Sequence, residues 1–174
     1  MRPMNTPGQT GGSPVQSHPI QIVTEAQWIT GNIETLGEAN FYINQEGIAN
    51  FRISNCQLYP WAFTGLPATE VNQIIVNPRR IQMLMFTQPE TINQLRRPPR
   101  TETLVFYLPL LVVQGKAPMM GDAKLVNFMD AWKGDFVPIL EANLHFLSEN
   151  ATQLPETGQV IYLNRHLIQS YLQN

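Results

Sequence analysis

Two stretches of this chain say nearly the same thing. "QIIVNPRRIQMLM" runs from Gln73 to Met85, and "QVIYLNRHLIQSYL" runs from Gln159 to Leu172, beginning 86 residues later. Each places a break centred on asparagine between two apolar, β-branched runs, which predicts strand, tight turn, strand. Self-similarity at so long a period restricts the fold more than any other feature, because a recurring unit must bury the same face twice. The match extends upstream: Gly31, Gly37 and Ala39 align with Gly115, Gly121 and Ala123, and Ile53 and Leu58 with Ile139 and Leu144. After a one-residue insertion, Asn77, Ile81 and Gln82 align with Asn164, Ile168 and Gln169. The expectation is an α+β, mainly β chain of two tandem, similar modules, each running strand, short helix, strand, loop and strand pair. A unit of roughly 70 residues is marginal alone, so the two should share a core or continue one sheet.

The boundaries follow from composition. Residues 1–19 are rich in Pro, Gly, Ser and Thr and have little to bury, so they read as a disordered tail. Residues 20–88 form the first β-rich module, 89–102 a Pro/Arg-rich linker and 103–174 the second module. Within the linker, Pro89, Pro98 and Pro99 mark a plain connection or bracket a short helical turn. "EANFYINQEG" reads as a short helix ended by Gly47. Its counterpart "GDAKLVNFMDAW" reads as a fuller one, capped by Asp122, with Leu125, Met129 and Trp132 along one face. In "ANFRISNCQLYPWAF", strict alternation would put Phe51, Ile53, Asn55 and Gln57 opposite Arg52, Cys56 and Leu58. The apolar run Leu104 to Val113 reads as a strand in which Pro109 removes a ladder donor, the mark of an edge or bulge. Leu108, Leu110 and Val112 are therefore candidates for an edge-strand interface.

Charged residues make up 14% of the chain, while 14 Asn and 15 Gln supply much of the polarity. So little charge gives weak self-repulsion and favours self-association. The one cysteine, Cys56, lies in a predicted strand and reads as a buried thiol in a reducing compartment, which makes the cytoplasm the expected location. The longest apolar run is about half of the ~20 residues that a membrane-spanning helix needs, and no membrane contact is expected.

Signatures of catalysis are missing from the letters. His18, His145 and His166 fall in no HxxxH or HExxH spacing, there is no CxxC, and neither GxGxxG nor GxSxG occurs. Asp122 and Asp130, eight positions apart, do not converge on one helix face. Trp28, Trp61 and Trp132 read as core. The expectation is no catalytic residue, no cofactor and no metal. What remains is a non-enzymatic assembly or regulatory protein acting through contacts with itself or with another protein.

The charge that exists is uneven. Residues 71–101 carry Arg79, Arg80, Arg96, Arg97 and Arg100 against Glu90 alone, whereas the net charge of the whole chain is −2. Arginine grips phosphate bidentately, so this segment is a candidate anion or RNA site if the fold joins its two clusters. The strand, Asn-centred turn and strand of "IIVNPRRIQ" and "VIYLNRHLIQ" resemble the closing strand pair of Sm-like RNA-binding proteins, including the bacterial RNA chaperones of that fold. In those families a short basic turn lies near the RNA-binding pore of a ring. The resemblance implies Asn77, Arg79 and Arg80 in the first copy, and Asn164, Arg165 and His166 in the second, as candidate RNA contacts.

Overall fold

The computed structural model describes residues 15–60, 66–96, 98–119, 121–122, 124–147 and 154–173. Ten strands, β1 (Val15–Thr24), β2 (Gln27–Leu36), β3 (Phe51–Pro60), β4 (Thr69–Val76), β5 (Ile81–Phe86), β6 (Thr101–Tyr107), β7 (Leu111–Pro118), β8 (Phe136–Phe146), β9 (Thr157–Asn164) and β10 (Ser170–Gln173), make one sheet. Every pairing is antiparallel, and the order is β10-β6-β7-β8-β9-β5-β1-β2-β3-β4. The fold is mainly β, with three short α-helices among the described residues: α1 (Ala39–Tyr42), α2 (Pro89–Asn93) and α3 (Phe128–Ala131).

The strand order of the first half, β5-β1-β2-β3-β4, recurs in the second as β10-β6-β7-β8-β9. Local devices recur with it. Ile20 of β1 faces Gly31 of β2, and Leu104 of β6 faces Gly115 of β7. The register slips between Thr30 and Asn32 on β2, and between Gln114 and Lys116 on β7. Across from these slips, Asn55 and Glu141 have φ of 50° and 49°. A non-glycine residue in the left-handed region bends its strand, as a bulge does.

That bend corrects the alternation expected for β3. Phe51, Ile53 and Cys56 are buried while Arg52, Asn55 and Gln57 are exposed, because the turn of the backbone at Asn55 moves Cys56 to the core side. The thiol donates to the Ile53 carbonyl at 3.1 Å, and burial pushes its pKa up.

Two hydrophobic clusters fill the fold, and each draws on both halves. One consists mainly of second-half residues such as Phe106, Ile139 and Leu163, but includes Val23 and Met83. The other consists mainly of first-half residues such as Ile22, Phe51 and Ile53, but includes Phe136, Val160 and Tyr162. The sheet is continuous across the join, where β5 pairs with β9 at Met83–Leu163 and Leu84–Tyr162.

Several sequence expectations change. Residues 1–14 of the expected tail lie outside the described residues, as do Trp61 and Arg97; residues 15–19 open β1. The apolar run Leu104 to Val113 is two strands, since the proline that cannot donate to a ladder sits in the turn between β6 and β7. Leu108 is buried there, and its N–H meets the Leu111 carbonyl at 2.9 Å. Val112 pairs with Tyr107 on one side and His145 on the other, so Leu108, Leu110 and Val112 do not form an open edge. The second predicted helix is one turn of 3-10 helix at Leu125–Asn127 followed by α3. Asp122 does not cap it; Leu125, Met129 and Trp132 nonetheless pack on the core, as their spacing implied.

Candidate interface at the seam and the open edges

The two repeated phrases fold alike. Each gives a strand, a three-residue 3-10 turn (Pro78–Arg80 or Arg165–Leu167) and a second strand. An asparagine precedes each turn. The Asn77 Oδ1 accepts the Arg79 N–H at 3.0 Å, and the Asn164 Oδ1 accepts the His166 N–H at 3.1 Å. Both are N-caps of the ordinary kind, a side-chain oxygen satisfying a donor that the turn leaves free.

Their amide nitrogens differ. Asn164 is buried at 1% exposure, and its Nδ2 donates to the Pro78 carbonyl at 3.1 Å and the Ile81 carbonyl at 2.9 Å. The second turn therefore holds the first across the seam. Asn77 is exposed, and its Nδ2 makes no hydrogen bond with any described residue.

Other contacts fasten the seam. Asn44, just after α1, donates to the Phe136 carbonyl at 3.1 Å and accepts the Phe136 N–H at 2.8 Å. The Tyr162 hydroxyl donates to Asn40 Oδ1, and burial pushes that phenol far above its usual 10. A cleft of about 450 Å³ opens where the halves meet, lined by the loop from Asn44 to Ala49, the Asn77–Arg79 turn, Lys133 and Asp135.

The arginine candidates separate into groups. Arg79 and Arg80 are exposed on the first turn, and Arg79 lines the cleft. Arg165 donates to the Trp132 carbonyl, and His166 meets Asp135 at 2.9 Å, so both second-turn groups already have partners. Arg96 is exposed, and Arg100 pairs with Glu102 at the start of β6. Strands β9, β8 and β7 stand between β5 and β6, and no hydrogen bond or ion pair among the described residues joins Arg79 or Arg80 to Arg100.

The sheet ends at β4 and β10. These edges carry apolar side chains in the open: Ile75 is 54% exposed and Leu172 46%. Sequence reasoning placed an edge at the longest apolar run; the real edges are the outer members of the repeated phrases. Their quality as strands was legible, but their outer position was not, since strand order is not written locally.

Buried polar groups outside the seam include His18, whose Nδ1 lies 2.8 Å from Thr91 Oγ1 and whose Nε2 lies 3.1 Å from Thr35 Oγ1. The spacing of His18, Ile20 and Ile22 along one strand face could have revealed its burial. Among the described residues, no three His, Cys, Asp or Glu side chains are placed to hold a metal ion, and no helix is long and apolar enough to cross a membrane. Compared with protein-family models, curated proteins and solved structures, the chain matches none.

Proposed function

We propose that this chain is a self-assembling protein built from two tandem copies of one β module, and that it works by joining its open sheet edges, without catalysis. The observation that carries this reading is the seam. There β9, the fourth strand of the second half, lies on β5, the fifth strand of the first. The two strands left open are the complementary pair, the fourth strand of the first half and the fifth of the second. Copies of the chain would join head to tail, β10 of one on β4 of the next. A contact of this heterologous kind closes into a ring if its rotation permits, and otherwise extends as a filament.

Among the described residues no strand pairs on the outer side of β4 or β10; such edges invite pairing, and only sparse charge opposes it here. The buried Cys56 thiol fits a reducing, cytoplasmic setting. Light scattering behind size-exclusion chromatography tests the reading. The expected mass is a multiple of 19.7 kDa. Replacing Ile75 with Lys should return it to the monomer mass in a folded protein. A wild-type monomer at every concentration would overturn the proposal.

A second reading is polyanion binding, RNA in the first instance, and it is favoured by one observation. Asn164 draws the two turns together, leaving Arg79 and Arg80 exposed, with Arg79 on the cleft. The Sm-like resemblance names the same turn residues as RNA contacts. Its mark would be affinity for a labelled single-stranded RNA that falls steeply with salt and weakens in Arg79→Ala/Arg80→Ala. Absent or salt-insensitive binding would remove it.

A further inference from the structure

We infer that Asn77 is a clasp for the adjoining copy, fixing the register in which β10 of that copy docks on β4. This inference rests on the head-to-tail reading above and specifies its contacts. Within the chain, Asn164 already acts as such a clasp. Its side-chain oxygen caps its own turn, while the amide nitrogen reaches across the seam to the carbonyls one and four positions after Asn77. Asn77 has the same oxygen in the same cap, but its amide nitrogen points at no partner among the described residues. On the facing turn, the carbonyls one and four positions after Asn164 belong to Arg165 and Ile168. Docking another copy's second turn on the first would give the Asn77 amide these two acceptors.

The strand register follows from the same correspondence. Counted from the two asparagines, Met83 and Leu84 correspond to Ser170 and Tyr171, and Leu163 and Tyr162 to Val76 and Ile75. The ladders inside each half agree with it. Leu84 pairs with buried Ile22, and Tyr171 with buried Phe106. The seam pairs Met83–Leu163 and Leu84–Tyr162 therefore predict Ser170–Val76 and Tyr171–Ile75 between copies. One step further, exposed Leu172 meets Ile74. Each docked pair would include an apolar side chain now at the edge, as cross-strand packing requires.

Asn77→Asp isolates the clasp, because it keeps the oxygen that caps the Arg79 N–H and removes the amide donors. The expected result is a dissociation concentration raised roughly tenfold or more, the loss of about two hydrogen bonds, with the melting temperature of the monomer unchanged. Asn164→Asp should instead lower that temperature, since its amide bonds lie inside the chain. Register is read separately by mixing Ile75→Cys with Tyr171→Cys under mild oxidation. A covalent dimer is expected, and Ile75→Cys mixed with Ser17→Cys on β1 should give none.

The outcomes separate cleanly. An assembled wild type that neither responds to Asn77→Asp nor cross-links at 75 and 171 overturns the clasp while leaving assembly standing. A wild-type monomer overturns both.

Discussion

His18 sits at 4% exposure between two threonine hydroxyls, with the Phe86 ring edge-on at 5.9 Å. No described carboxylate pairs with it, so burial favours the neutral ring and lowers its pKa from the usual 6.5. The sign of the pH effect follows. The unfolded chain takes up a proton at a higher pH than the folded one, so this contribution is complete above about pH 6.5 and is lost as the pH falls below it. Urea midpoints measured from about pH 8 to 5 should hold steady and then decline, and His18→Gln should flatten part of the decline. A wild-type profile with no acid-side loss would contradict the account. His18 also marks a boundary of what the letters reveal: a Pro- and Ser-rich stretch read as tail, yet its last residues alternate like the strand they are.

At the scale of elements, the glycines of β2 and β7 let a neighbouring strand come close. A Cβ on Gly31 would stand 2.7 Å from Ile53 Cγ2 and 2.8 Å from the Ser54 carbonyl oxygen. On Gly115 it would stand 2.5 Å from Ile139 Cγ2 and 3.0 Å from the Leu140 oxygen. An isoleucine methyl can shift slightly, but a ladder carbonyl cannot, so the strands approach only because these positions lack a side chain. Gly31→Ala and Gly115→Ala should each destabilise by about 1–3 kcal/mol, with Gly31 the more costly because backbone is nearer. Unchanged urea midpoints would refute the close approach. These glycines, the turn asparagines and the strand pairs around them were legible in the sequence. The bend at Asn55 was not, since a left-handed asparagine reads like any polar strand residue. The helix expected after Asp122 is a 3-10 turn followed by the short α3, because three apolar residues at helical spacing also suit tight turns packed on a sheet.

Across the whole molecule, the two cores exchange residues: Val23 and Met83 serve the second half, Phe136 and Tyr162 the first. Neither half can lose its packing without exposing some of the other. The chain should therefore unfold in one transition, with tryptophan fluorescence and far-UV circular dichroism coinciding in denaturant. Two resolved steps would show that the halves are independent. A shared core or sheet was legible in the sequence, because a unit of this size is marginal alone. The strand order was not, since it arises from contacts between residues distant along the chain. The seam between β5 and β9 has one more consequence. Its two strands belong to one chain, joined through residues 87–156, so they meet at an effective concentration on the order of millimolar, whatever the protein concentration. Dilution can separate two molecules, but it cannot open this joint.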